Sequence, residues 1–246
     1  MNLNSKNFKL FIGIFYLLFL FIGLFFLFSA VDFKDLTNYD FIRSKSDIIL
    51  EYKEKNFVLL SLGYLFFSIL WVLLLGFASP ILLVAGFVFG KWWGILIVLT
   101  GTTIGASSLY LLAKLFFRDF INQNIGPKFL KLKELFNKND FVYFLLFRFV
   151  GGGGIPYAIQ NVMPVIFDLP LKKYFAATFL GSGPSMFVSV ALGAGIEKYI
   201  IENEKLNFFT VLSSKEIYLP ILGFIAILLL SFFVKNIFFK NKIKNE

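Results

Sequence analysis

The sequence predicts an all-α polytopic membrane protein, with about four full transmembrane helices and two opposed re-entrant helical hairpins in a pseudo-inverted repeat. Three observations predict it. Hydrophobic residues are 58% of the chain and charged residues only 16%, where a soluble domain carries about a quarter charged. That much apolar side chain cannot be gathered into one core of a chain this size. The apolar residues also come in runs of bilayer length, and two of these runs are broken internally by glycine and proline.

Residues 8–31 form an unbroken apolar run preceded by Lys6 and Lys9. A cleaved signal peptide competes with a membrane span here. The run is long and no small-residue cleavage site follows cleanly, so an uncleaved first span is expected. Residues 32–56 are polar and mixed in sign, the expected external loop. The apolar region 57–90 is interrupted at Ala78-Ser79-Pro80 and carries Gly86 and Gly90, which reads as the first hairpin.

The next run, 92–117, is a full span with Gly101 and Gly105 at helical spacing, followed by a basic amphipathic stretch at 118–140. The second hairpin is read over 141–168. Its first apolar piece meets Gly151, Gly152, Gly153 and Gly154, then Ile155-Pro156, and a second short piece holds Pro164. Each half is too short to cross, and the glycines and prolines would break a continuous helix. A third span follows at 174–196, with Gly181 and Pro184, then a polar loop at 197–216 and a last span at 217–239. The chain thus divides into an N-terminal span and loop (1–56), a core holding both hairpins (57–200), and a C-terminal loop, span and basic tail (201–246).

Charge sorting supports the hairpins. If each enters and leaves on one side, thirteen Lys and Arg fall with the two termini, the 118–140 stretch and Lys172-Lys173. Eight fall in the 32–56 and 197–216 loops. Basic residues mark the cytoplasmic side. The expected location is therefore the cell (inner) membrane, with both termini cytoplasmic. The net charge of +9 is read as topology, not as a nucleic-acid surface. The halves also echo one another, because Pro80 and Pro156 each open a short apolar piece before a span rich in small residues. Small residues at 101, 105 and 108, and at 177, 181 and 185, would let helix backbones approach, and packing accounts for most of them.

Cysteine and histidine are both absent. That removes disulfides, thiol chemistry, imidazole acid–base work and the usual zinc or haem ligands. No paired carboxylates and no nucleotide loop with its Lys-Ser/Thr appear either. No enzyme activity, metal or cofactor is expected.

One charge stands deep in an apolar segment. Arg148 precedes the glycine break by three residues, and a guanidinium there needs a cavity, water, a carboxylate or a phosphate. Two readings stay open. Arg148 contacts an anionic head group, which its planar fork suits, or it bonds backbone carbonyls freed at the glycine tract. Gln160 and Asn161 are polar groups in the second piece, able to bridge the hairpins, hydrate a passing head group, or simply satisfy loop carbonyls. Breaks at Ser79-Pro80, Gly151–Gly154, Pro156 and Pro164 would leave peptide groups lining a polar site. No Asp or Glu lies within the apolar parts of either hairpin, so proton coupling gains no support.

Pro80 through Gly90, with its AGFVFG ending, then Gly101, Gly105-Ala106-Ser107, Tyr110 and Arg118, resembles the first half of the VTT domain. This is the SNARE-associated Golgi protein family of the DedA superfamily. The second half is more specific. Arg148-Phe149, Pro156-Tyr157, Asn161, Pro164 and the run KKYFAATFLGSGPSMFVSVALGAG are similar to the Golgi-vesicle-protein branch and its bacterial relatives. The resemblance implies opposed re-entrant hairpins, lipid scrambling or lipid-carrier flipping, and a role in membrane homeostasis. It also assigns Arg148, Pro156 and Asn161 to the family's second-hairpin positions. Two departures stand out: glycines replace the proline expected shortly after the arginine, and no acid lies near Ser79-Pro80.

The expected function is movement of phospholipid or lipid-linked phosphate between leaflets, with Arg148, Asn161 and Gln160 contacting the lipid. A non-transporting membrane organiser is the alternative, using Lys128, Lys131 and Lys133 beside Phe129, Leu130 and Leu132. A small-ion or oxyanion transporter is a weaker one. Membrane lipids are the expected partners. A homo-oligomer is compatible with the chain, and no protein partner is indicated.

Overall fold

A computed structural model describes residues 39–75, 78–124, 139–151, 155–202 and 213–235, with Leu18, Ile22, Pro127, Lys133, Phe136 and Asn137. The expected 8–31 span, Gly152–Gly154, the basic 128–133 stretch apart from Lys133, and the lysine tail beyond residue 235 lie outside the described residues. All regular structure among the described residues is helical. The elements are α1 (Tyr39–Leu75), α2 (Ser79–Phe116), α3 (Arg118–Asn124), α4 (Asp140–Phe149), α5 (Tyr157–Val162) with a 3-10 turn at Met163–Phe167, α6 (Leu171–Glu202) and α7 (Lys215–Lys235).

Four described helices are long and apolar enough to cross a membrane: Ser46–Leu74, Ser79–Phe116, Leu171–Ile201 and Lys215–Val234. The chain is an all-α polytopic membrane protein. The first of these differs from the sequence reading, which divided it between a polar loop and a hairpin limb. Residues 39–55 are helical, with Lys55 reaching back one turn to Glu51 at 2.5 Å. Asn56 kinks α1 (φ −134°, ψ 38°). Beyond it, no proline interrupts 57–75, so this limb runs about 28 Å instead of stopping short.

At Gly90 the chain reverses inside a helical stretch. Its φ of 73° with ψ of 173° is open to glycine and strained for other residues. A Cβ on Gly94 would stand 2.6 Å from the Ala85 carbonyl oxygen, so the pieces on either side of the reversal are in close apposition. The ends of the segment meet: the Phe57 ring lies 6.2 Å from Phe89 and 5.8 Å from Trp93. Midway, the Tyr64 hydroxyl donates to the Ile81 carbonyl at 2.5 Å. Gly101 faces Leu65 and Ser68, and Gly105 faces Ile69 and Val72. The chain therefore runs out along 57–75, back along 79–89, and out again along 91–116.

The second half repeats the manoeuvre. Asn139 caps α4 by accepting from the Val142 N–H at 3.2 Å, and Asp140 sits in the first turn, where the helix dipole favours an acid. The chain runs out along α4, which ends at Phe149, and returns through α5 and the 3-10 turn. Its ends meet where Lys173 bonds Asp140 at 2.7 Å. Tyr110 donates to the Leu169 carbonyl at 2.5 Å, which places this mouth at the far end of α2 from the first. From Trp93 to Phe116 the helix spans about 35 Å.

Helices α2 and α6 form the central pair; α1 packs on α2, and α4 and α7 pack on α6. Their shared core includes Val98, Leu99, Ala106, Phe144, Phe147, Met163, Ala177, Met186 and Val190. Large apolar side chains on α1 (Val58, Leu59, Leu62, Phe66) and α7 (Leu228, Leu229, Phe232, Phe233) are exposed. In water that surface would be untenable; against acyl chains it is the expected exterior.

Candidate functional site

Arg148 stands in the last turn of α4 and is 2% exposed. Its Nη2 donates to Asn161 Oδ1 at 2.7 Å and to the Tyr174 hydroxyl at 2.8 Å. One nitrogen thus joins the outgoing limb, the returning limb and α6. The rings of Phe144, Tyr157 and Tyr174 lie 5.1, 5.3 and 5.5 Å from the guanidinium carbon. Their π faces offset part of the cost of burying the charge. Tyr174 is itself held: its hydroxyl lies 3.2 Å from the Asn161 carbonyl and 3.3 Å from that of Ala106, and its ring stacks on Tyr110 at 4.6 Å.

No carboxylate enters this cage. The two acids at the hairpin mouth are committed elsewhere, Asp140 to Lys173, and Asp168 to Arg118 at 2.5 Å and Lys114 at 3.5 Å. Arg148 therefore has no counter-ion among the described residues. It also has donors to spare. Of the five guanidinium N–H groups, the three on Nε and Nη1 have no hydrogen-bond partner among the described residues, nor do Asn161 Nδ2 or the Tyr157 hydroxyl. On the facing helix α2, the buried hydroxyls of Thr103 and Ser107 are likewise unpartnered. A buried cation without an anion is expensive. A donor-rich, carboxylate-free cage of this kind is matched chemically by an oxyanion.

Of the roles the sequence leaves open for Gln160, its contacts are those of an amide satisfying loop carbonyls. Its Nε2 donates to the Gly151 carbonyl at 3.1 Å and the Ile155 carbonyl at 2.6 Å, closing the break between the limbs. The carbonyl-pinning role offered to Arg148 belongs to Gln160, whose amide carries two hydrogens for two carbonyls. Arg148 binds side chains instead.

The break residues sit where helices stop and start. Ser79 and Pro80 open α2 at the tip of the first hairpin. Gly151 takes a φ of 64°, Pro156 precedes α5 as its cap, and Pro164 opens the 3-10 turn. Gly181 positions the site: a Cβ there would stand 2.6 Å from the Leu145 carbonyl oxygen and 2.8 Å from Arg148 Cβ. Glycine lets α4 lie directly on α6, and so brings Arg148 to Tyr174. Gly101 and Gly105 do the same between α2 and α1. Pro184, grouped with these glycines by sequence, is exposed within α6.

Sequence reasoning gave Tyr174 and Tyr157 no role in the site and passed over Phe144. A signal was present for the tyrosines. The chain uses phenylalanine 36 times and tyrosine 10 times, so a tyrosine inside an apolar span marks a place where a hydroxyl is wanted.

Residues 77–195 match the VTT domain, a stretch that takes in the reversal at Gly90, the second hairpin and most of α6. The chain is 26% identical over 176 residues to the transmembrane protein 41 homolog of Caenorhabditis elegans, covering 69% of this chain and 70% of that one. It is 33% identical over 139 residues to the uncharacterized protein YqeD of Bacillus subtilis, covering 52% and 66%. With transmembrane protein 41B of Mus musculus it shares 22% identity over 189 residues, covering 74% and 64%. The chain thus spans about two thirds of the length of these relatives. No solved structure matches it.

Proposed function

This chain belongs to the VTT-domain family of multi-pass membrane proteins, and from that premise we propose that it moves phospholipid, or a lipid bearing a phosphate, between leaflets. The reading is scramblase- or flippase-like and serves membrane homeostasis. The observation that carries it is Arg148: a buried guanidinium with no counter-ion among the described residues, three unspent N–H groups and an unspent amide beside it. A phosphate crossing an apolar layer loses its water, and these donors replace part of that hydration. Arg148 and Asn161 are the residues in contact with the head group, while Gln160 holds the loop behind them.

In this reading both hairpins are re-entrant. Each dips from one membrane face and returns to it, which brings the helix ends at Leu75 and Phe149 to the interior. Unpaired peptide groups are tolerated there only in protein or a wet cavity. The two mouths lie at opposite ends of α2, so a head group could be received from either face. The termini are cytoplasmic and the membrane is the cell membrane. No carboxylate among the described residues sits beside Arg148 to carry protons, so proton coupling gains no support from the site.

The test is leaflet exchange in vesicles of phosphatidylcholine and phosphatidylglycerol containing a phospholipid with a dithionite-bleachable head-group label. Wild type should expose the inner-leaflet label to dithionite, and Arg148→Ala should return the trace to that of protein-free vesicles. Bleaching that stops at the outer leaflet with wild type present would overturn the reading.

A further inference from the structure

A second feature lies apart from the Arg148 cage. Helices α6 and α7 touch tightly at one end, where a Cβ on Gly195 would stand 2.0 Å from the Glu216 carbonyl oxygen. They then part, so that a Cβ on Gly223 would meet only Val188 Cγ2, at 3.5 Å. The gap is a groove of about 530 Å³, walled by Ala191, Leu219 and Gly223 among others. A second cavity of about 260 Å³ shares Val188 and Pro220 with it and continues to Ser79 and Leu83 of the first hairpin. The two cavities adjoin at Val188 and Pro220, and apolar side chains make up most of the second.

The rim of this groove is cationic. Lys91, Lys198 and Lys215 line it with Glu197 and Glu216. Lys198 and Glu216 satisfy each other at 2.6 Å, and Lys53 faces Glu197. Lys91 and Lys215 are exposed and make no salt bridge among the described residues; the Lys91 ammonium lies 5.8 Å from the Trp92 ring, and the charge of Lys215 acts on the neighbouring Glu216 carboxylate. Beside Lys91, Trp92 and Trp93 are exposed to 69% and 46%, the arrangement of aromatics that settles at the head-group level of a bilayer. Apolar walls below and two exposed ammonium groups at head-group depth fit one ligand class.

We propose that the groove between α6 and α7 binds an anionic phospholipid, one acyl chain lying along Ala191 and Gly223 and the phosphate resting between Lys91 and Lys215. The site requires only that the chain sit in a membrane and does not depend on leaflet transfer. The charge at stake is two lysines near the surface, which makes phosphatidylglycerol bind about thirty-fold tighter than phosphatidylcholine of the same chains.

Native mass spectrometry of the delipidated full chain, incubated with each of those two lipids, tests this. Wild type should retain one phosphatidylglycerol and little phosphatidylcholine. Gly223→Phe should fill the groove and lose both. The paired change Lys91→Gln with Lys215→Gln, on exposed side chains, should reduce phosphatidylglycerol to the phosphatidylcholine level. Arg148→Ala should retain the lipid, even where leaflet exchange fails. Equal retention of the two lipids by wild type, wild-type retention by the double glutamine variant, or loss of the lipid in Arg148→Ala would each overturn the proposal.

Discussion

Arg148 Nη2 donates to Asn161 Oδ1 at 2.7 Å across the break of the second hairpin. The amide holds the guanidinium without neutralising it, which is the property that leaves the charge available. Replacing that oxygen by a carboxylate keeps the hydrogen bond and removes the availability. Asn161→Asp should therefore keep or raise the thermal stability of the purified protein while leaflet exchange falls to the protein-free rate. Unchanged exchange in that variant would show that the charge of Arg148 is not used.

Arg148→Lys keeps a positive charge and removes two nitrogens. The guanidinium spends one nitrogen on Asn161 and Tyr174 and retains Nε and Nη1. A lysine must choose between its anchors and its ligand. Exchange should drop about ten-fold or more, in line with loss of a charge-assisted hydrogen bond of about 1.5–3 kcal/mol. Rates measured in the same vesicles as wild type decide it.

Packing around the site can be tested without touching it. Gly181→Ala pushes a methyl group into the Leu145 carbonyl and the Arg148 stem, and should cost about 1–3 kcal/mol. Gly183→Ala, two residues on, places its methyl 3.6 Å from the nearest atom, a Leu99 methyl, and should be close to neutral. Thermal unfolding in one detergent separates the pair. Equal midpoints would contradict the close apposition of α4 and α6.

The topology is open to labelling, because the chain has no cysteine of its own. Single cysteines at the exposed positions Lys55 and Lys91 should react with an impermeant maleimide from one side of the membrane. Cysteines at Asn139 and Lys172 should react from the other. Opposite accessibility within either pair would mean that the segment between them crosses the bilayer.

Hydropathy and helix breakers made much of the fold legible. Runs of apolar residues mark α2, α6 and α7, and Pro80, Gly90 and Pro156 fall at the helix boundaries, because each acts on the local backbone whatever surrounds it. The length of the limb at 57–75 was less legible, since charge sorting speaks to where a segment begins and ends and not to how deep it reaches. Arg148 was legible because a lone charge in an apolar run needs an explanation. Its partners were not. Tyr174 lies 26 residues away and meets it only because Gly181 admits α4 to the surface of α6. Which of Gln160 and Arg148 would meet the loop carbonyls stayed open in the sequence, as both carry donors near them and only the path of the returning limb decides which reaches them.

The reversal at Gly90 has a practical consequence for anyone who infers sidedness by tallying apolar stretches. Ser79–Phe116 has the length and hydropathy of a single span, yet Gly90 divides it and its opening eleven residues travel against the rest. On the re-entrant topology proposed above, an algorithm that scores it as a single crossing assigns it the wrong heading, and every reporter fused downstream inherits the inverted compartment. On that topology one main-chain torsion, allowed by a missing side chain, sets the parity of the crossings that follow.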